Sequence, residues 1–148
     1  MKGFGDKKNS KNYKENKLEL NLNKEKILNN ALKYHAKGDV TEALKYYQYY
    51  IDQGFNNHIV FSNYAVILKD LGKLKEAEIL LRKAIELNPQ YVIAYSNLAG
   101  ILINLGKLQE AESLLRKAIK LKPDNAVSYS NLGGILGDLG KLQEAESL

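Results

Sequence analysis

The segment Ala94–Leu114 reads AYSNLAGILINLGKLQEAESL, and it recurs almost unchanged as SYSNLGGILGDLGKLQEAESL at Ser128–Leu148. A 34-residue shift (128 − 94) relates the two copies, and the same shift upstream leads to a looser copy at Val60–Leu81. A fixed period of this length predicts a repeat protein, in which each unit buries its apolar face against its neighbours.

Within each copy, the spacing of apolar residues is that of two consecutive helices. A glycine separates the two helices, and Pro89 and Pro123 end the second helix of their copies, because proline disfavours helical geometry in the residue before it. In the first copy, Asp39 and Glu42 have the spacing of a capping box. The predicted helices lie at about 24–37, 40–53, 58–71, 74–87, 92–105 and 108–121, and a fourth pair begins near Ala126.

The register of large and small residues resembles that of the tetratricopeptide repeat family. A bulky residue stands near the start of the first helix of each copy: Ile27, Phe61, Tyr95 and Tyr129. A glycine stands between the two helices: Gly38, Gly72, Gly106 and Gly140. A small residue stands in the second helix: Ala43, Ala77, Ala111 and Ala145. The resemblance implies an all-α fold, a right-handed superhelical α-solenoid of helix-turn-helix repeats.

The predicted domain organisation is a disordered basic tail over residues 1–22, followed by a repeat domain over residues 23–148. The tail is rich in lysine and asparagine and has too little apolar surface to offset the entropy of ordering. The predicted repeats lie at about 24–57, 58–91 and 92–125, with a partial repeat at 126–148. The tail and the first copy also resemble those of multicopy bacterial repeat proteins, cyanobacterial in type.

Several classes of protein are excluded by the composition. The chain has no cysteine and no pattern of zinc ligands, so we expect neither a metal nor another cofactor. It has no apolar stretch of the length of a membrane span and no signal-peptide core, which predicts a cytoplasmic protein with no membrane partner. His35 and His58 are the only histidines, and neither belongs to a catalytic motif, so we expect no enzyme activity.

The second helices and the last copy carry two further predictions. Glu78 with Arg82, and Glu112 with Arg116, have the i,i+4 spacing of ion pairs on a solvated face. In the last copy, close packing of helices explains Gly133, whereas Gly134 and Gly137 have no such explanation and predict a loosely held helix.

Among tetratricopeptide repeats, ligands usually lie on the concave face, which the first helix of each pair lines. A row of asparagines at the 34-residue period is assigned to this face: Asn29, Asn63, Asn97 and Asn131. A carboxamide has both donors and an acceptor, so such a row could pair with the backbone of a bound peptide. Beside the row, the predicted peptide-binding residues are Ser62, Ser96, Ser130, Lys69, Asp70 and Asn104.

The asparagine row resembles the asparagine ladder in the repeat domain of O-linked N-acetylglucosamine transferases. It differs from the dicarboxylate clamp, in which lysine or arginine holds the acidic C-terminus of a chaperone. At the cationic positions of the clamp this chain has Leu28 or Ser62 early in the array, and Ile93 or Val127 later. The sequence therefore argues against an adaptor for chaperone tails.

The predicted function is a protein interaction scaffold that binds an extended polypeptide of unknown identity in the concave groove. The alternative is the substrate-docking region of a larger transferase (sulfo-, glycosyl- or methyltransferase) that continues beyond Leu148. Self-association through an uncapped C-terminal end is a further possibility. The basic tail contains Asp6, Glu15 and Glu19 and lacks interleaved aromatic residues, so we expect no specific nucleic-acid partner.

Overall fold

The computed structural model describes the backbone of residues 5–147 and the side chains of residues 18–147. The described residues form helices and no strands. The helices are α1 (Gly5–Ala36), α2 (Val40–Asp52), α3 (His58–Asp70), α4 (Leu74–Leu87), α5 (Val92–Asn104), α6 (Leu108–Leu121), α7 (Ala126–Asp138) and α8 (Leu142–Ala145). The chain divides into two compact units, Met1–Phe55 and Asn56–Leu148.

The first unit contains α1 and α2, which pack against each other. The turn between them contains Gly38 at a φ of 74°, and the Asp39 side chain accepts a hydrogen bond from the Glu42 backbone N–H at 3.1 Å. A capping box contains two hydrogen bonds, and this bond from a backbone N–H to the N-cap side chain is one of them. Their shared core is formed by Ile27, Ala31, Ala43, Tyr47 and Tyr50.

The start of α1 differs from the prediction. A disordered tail was expected over residues 1–22, but residues 5–22 belong to α1, and residues 1–4 lie outside the described part of the chain. Between Asp6 and Asn23 the sequence has no proline or glycine, and ten of the sixteen residues are lysine, leucine or glutamate, which are good helix formers. Leu18, Leu20 and Leu22 are more than half exposed, so packing of these leucines does not account for residues 18–22 being helical.

The second unit consists of three helix pairs: α3 with α4, α5 with α6, and α7 with α8. Their first helices begin at His58, Val92 and Ala126, which follow the 34-residue period of the sequence. Since α4 also packs against α5, and α6 against α7, the pairs form a stack. The predicted all-α class of stacked helix pairs is confirmed. We call α3, α5 and α7 the A helices, and α4, α6 and α8 the B helices.

The core of the second unit repeats with the sequence. Large side chains such as Leu81, Tyr95 and Leu115 are at most 1% exposed, and alanines at the 34-residue spacing are fully buried. These fully buried alanines are Ala65, Ala99, Ala77, Ala111, Ala84 and Ala118. Gly133 differs from the expectation of close packing. Apart from its chain neighbours and the backbone of its own helix, no described atom lies within 4 Å of the position that its Cβ would take, so packing does not require a glycine there.

Ion pairs connect the repeats along the B helices. Glu78 accepts hydrogen bonds from Arg82 at 2.7 Å and from Lys107 of the next repeat at 2.9 Å, while Arg82 also reaches Glu110 at 2.7 Å. The same arrangement recurs one repeat later around Glu112, whose partners Arg116 and Lys141 lie at 2.9 Å. We call these two sets of contacts the charge ladder.

The sequence predicted only those contacts of the charge ladder that lie within one helix. The i,i+4 pairs are confirmed, but the bonds to the next repeat join residues that are 28 and 29 positions apart, and i,i+4 spacing does not reveal them. The two central carboxylates are largely shielded, because the Glu78 and Glu112 side chains are only 13% and 12% exposed. Hydrogen bonds from Arg82 and Lys107 lower the pKa of Glu78, and those from Lys141 and Arg116 lower the pKa of Glu112. Both carboxylates therefore stay ionised at neutral pH.

Candidate functional site

A groove of about 360 Å³ runs across the A helices of the second unit. It is formed mostly by α5, with contributions from α3, α4 and α7. Its lining residues are Val66, Lys69, Leu81, Ser96, Asn97, Gly100, Ile101, Ile103, Asn104, Val127 and Asn131. We call this surface the A-helix groove. Five of the predicted site residues lie in it: Lys69, Ser96, Asn97, Asn104 and Asn131.

The structure brings together two of the four asparagines. Asn97 on α5 and Asn131 on α7 are half-buried in the A-helix groove, and neither carboxamide has a hydrogen-bond partner among the side chains and backbone that are described. Asn63 has the equivalent position on α3 but is not among the lining residues. Asn29 is exposed on α1, in the first unit. The two carboxamides therefore offer hydrogen-bond donors and acceptors with which the backbone of a bound peptide could pair.

The three predicted serines differ in their surroundings. Ser130 is exposed on α7, whereas the Ser96 hydroxyl bonds to that of Ser128 at 2.9 Å, at the contact between α5 and α7. Ser62 is 1% exposed, and its hydroxyl has no hydrogen-bond partner in the described part of the chain. The Ser62 hydroxyl is therefore enclosed in the helix interface, and Ser62 is not among the residues that line the A-helix groove.

One substitution tests this account of Ser62. Ser62 is the counterpart of Ser96, but the counterpart of Ser128 is Ala94, which is fully buried. Ala94→Ser should supply the missing partner and raise the free energy of unfolding by about 0.5–1.5 kcal/mol, the usual net value of one hydrogen bond. Urea denaturation followed by circular dichroism measures the change. In a Ser62→Ala background the gain should vanish, and an equal gain in both backgrounds would refute the pairing.

The charges of the groove are few. Lys69 is the only charged residue among those that line it, and the Asp70 carboxylate lies 3.5 Å from the Lys69 ammonium group. Asp70 itself is exposed and does not line the groove. A pair of carboxylates on a ligand would therefore meet no cluster of cations among these residues, in agreement with the argument against a chaperone-tail clamp.

A row of exposed apolar side chains was not included among the predicted site residues. Ile59, Ile93 and Val127 are 37%, 54% and 61% exposed, and each stands four residues before an asparagine of the row. Val127 lines the A-helix groove together with Asn131. The sequence assigned these three residues to the concave face but did not count them as peptide-binding residues, and the structure shows how far each side chain is exposed.

Comparison with protein families identifies these repeats. Two tetratricopeptide repeat models match the sequence, one at residues 68–130 and the other at residues 114–147, which together span more than half of the chain. The chain belongs to the tetratricopeptide repeat family. No curated protein matches its sequence.

Solved tetratricopeptide structures resemble this chain. The first tetratricopeptide domain of Spaghetti (RPAP3), bound to the HSP90 peptide SRMEEVD, has 27% identity and a TM-score of 0.73, covering 79% of this chain and 93% of that one. MamA has 22% identity and a TM-score of 0.80, covering 99% of this chain and 91% of that one. A Thermobaculum terrenum O-GlcNAc transferase mutant has 23% identity and a TM-score of 0.69, covering 76% of this chain and 22% of that one.

The last two likenesses show the tetratricopeptide fold alone, so they give no support to the transferase alternative.

In the described part of the chain, no group of three or more histidine, aspartate or glutamate side chains could hold a metal ion. His35 lies 2.8 Å from the Tyr47 hydroxyl, and His58 lies 3.2 Å from the Asn88 amide. No described helix combines the length and apolar character that a membrane crossing needs.

Proposed function

We propose that the chain is a scaffold that binds an extended segment of a partner protein in the A-helix groove, without catalysis of its own. The observation that carries the proposal is the pair of asparagines, Asn97 and Asn131, whose carboxamides lie in the same groove without partners in the described structure. A peptide backbone presents one N–H donor and one C=O acceptor per residue, and a carboxamide can pair with both. Such contacts hold a peptide largely independently of its side chains.

A structural relative supports the binding of peptides by this fold. The Spaghetti domain is bound to an HSP90 peptide that ends in EEVD, and it is 27% identical to this chain. The chemistry of the groove differs from what such an acidic peptide needs, because Lys69 is the only cation among its lining residues and Asp70 lies beside it. We therefore assign this chain a partner segment that is not an acidic C-terminus. Lys69 and Asn104 join Asn97 and Asn131 as its proposed contacts.

Loss of the two carboxamides tests the proposal. The chain is used to select binders from a library of random 12-residue peptides displayed on phage, and the selected peptides are then synthesised with amidated C-termini. We expect the double substitution Asn97→Ala and Asn131→Ala to weaken binding at least about tenfold, because each lost hydrogen bond is worth about 0.5–1.5 kcal/mol. Fluorescence anisotropy with labelled peptides measures the affinity, and circular dichroism checks that helicity is unchanged.

The matched control removes two carboxamides from the B helices. Gln109 and Gln143 are exposed, occupy equivalent positions in consecutive repeats and lie outside the A-helix groove, so the double substitution Gln109→Ala and Gln143→Ala should leave binding unchanged. A second variant, Gly100→Leu, fills the groove from α5 and should also block binding, since leucine favours a helix more than glycine does. If the asparagine and glutamine variants bind equally well, the proposed contact line is wrong.

A further inference from the structure

The exposed apolar row and the asparagines together specify a conformation of the bound segment. Ile59, Ile93 and Val127 stand four residues before Asn63, Asn97 and Asn131, and residues four apart lie on the same face of a helix. Each A helix of the second unit thus presents a branched apolar side chain next to a carboxamide. These three side chains stand at equivalent positions and are each more than a third exposed, and Val127 is the one of the three that lines the A-helix groove.

The spacing of these sites follows from the packing of the A helices. The Ser96 and Ser128 hydroxyl oxygens lie 2.9 Å apart, so α5 and α7 are in direct contact at the level of Asn97 and Val127. Since the axes of packed helices lie about 8–10 Å apart, equivalent side chains on neighbouring A helices are separated by about the same distance.

This spacing discriminates between the two extended conformations of a peptide. In a β-strand, side chains on one face recur every second residue, at about 6.6 Å, and then at about 13 Å, so neither distance fits the row. In a polyproline II helix, three residues make one turn with a rise of about 3.1 Å each, so every third side chain returns to the same face after about 9.3 Å. The polyproline II helix also leaves its backbone polar groups without internal partners, which makes them available to Asn97 and Asn131.

The charge of the groove limits the composition of the segment. Lys69 is the only charged residue among those that line it, and Asp70 lies 3.5 Å away, so the surface complements an uncharged ligand. Building on the proposed function, we infer that the partner is an uncharged internal segment in polyproline II conformation, with a branched aliphatic residue at every third position. These residues contact Ile59, Ile93 and Val127, while Asn97 and Asn131 bond to the backbone.

Two peptides of equal composition test the inference. The first is the acetylated and amidated dodecapeptide (Ile-Pro-Ser)4, and the second contains the same residues with its four isoleucines at alternate positions, Ile-Ser-Ile-Ser-Ile-Pro-Ile-Pro-Pro-Ser-Pro-Ser. We expect the intact chain to bind the first at least about tenfold more tightly, as measured by isothermal titration calorimetry. The triple variant Ile59→Ser, Ile93→Ser, Val127→Ser should lose this preference. Ile79→Ser, which alters an isoleucine of α4 that is 57% exposed, should keep it.

The outcomes separate this inference from the proposed function. Equal affinities for the two peptides, both reduced by Asn97→Ala with Asn131→Ala, would overturn the spacing inference and leave the scaffold proposal intact. Binding that is indifferent to the asparagine substitutions would refute the proposed function as well. If neither peptide binds, the inference fails, and the phage-selected peptides decide the scaffold proposal independently.

Discussion

Tyr95→Ala should lower the free energy of unfolding by about 3–5 kcal/mol, the usual cost of removing a large buried aromatic side chain. Tyr95 lies near the start of α5 and is 1% exposed. Its hydroxyl donates a hydrogen bond to the Pro89 carbonyl at 3.1 Å, and the Lys117 ammonium group lies 5.0 Å from the ring centre. The side chain therefore ties the loop before α5 to the interior of the stack, and its removal leaves a cavity there.

Tyr95→Phe separates the ring from the hydroxyl. This variant loses only the bond to Pro89, so it should cost about 0.5–1.5 kcal/mol. Urea denaturation followed by circular dichroism at 222 nm compares the two variants with the parent chain. Should Tyr95→Ala cost no more than Tyr95→Phe, the ring would not contribute to the core as its burial indicates.

Replacing the three glycines inside α7 by alanine should stabilise the chain by about 2–3 kcal/mol, because each helical glycine costs about 0.8–1.0 kcal/mol relative to alanine. Apart from chain neighbours and the backbone of α7 itself, no described atom lies within 4 Å of the Cβ positions at Gly133, Gly134 or Gly137, so the added methyl groups meet no other part of the fold. For a chain of this size, each kcal/mol raises the melting temperature by about 2–4 °C. The triple variant should therefore melt roughly 5–10 °C higher in a thermal scan.

Gly140 provides the matched control in the same helix pair. Its Cβ position is equally open, but its φ is 73°. This left-handed backbone conformation costs residues other than glycine about 1–2 kcal/mol. Gly140→Ala should thus lower the melting temperature while the α7 substitutions raise it. A triple variant that melts below the parent chain would show that the glycines serve a packing role that the open space does not reveal.

The helix boundaries were predictable where a residue with a strong backbone preference ends the element. The prediction for α4 and α6 agrees with the structure at both ends, because glycines at positive φ precede them and Pro89 and Pro123 follow. The beginning of α1 was not predictable in this way. Nothing in residues 6–22 forces a boundary, and the expectation of disorder rested on composition alone.

The candidate site was predictable in its periodicity but not in its contacts. The 34-residue spacing identified the asparagine row, yet Ser62 and Ser96, which look equivalent in the sequence, differ because the residues that face them from the next repeat are Ala94 and Ser128. The sequence placed Ile59, Ile93 and Val127 on the concave face, but the extent of their exposure depends on how the helices stack, which a repeat pattern does not specify. Residues at equivalent positions in a repeat are therefore expected to lie on the same side of their helices. Their hydrogen-bond partners depend on which residues face them from the next repeat.

The charge ladder has a consequence for how such a chain can change length. Two interfaces between consecutive repeats contain ion pairs of the same residue types at equivalent positions. One interface contains Glu78 and Lys107, and the next contains Glu112 and Lys141. A duplicate of residues 92–125 inserted after residue 125 would carry its own Lys107 and Glu112. Its Lys107 would face a glutamate of the preceding repeat and its Glu112 a lysine of the following one, so both new interfaces would form these ion pairs. The near-identity of Ala94–Leu114 and Ser128–Leu148 favours unequal recombination between the corresponding stretches of the gene. Gain or loss of whole units therefore leaves the ion pairs of the charge ladder intact at every interface between repeats.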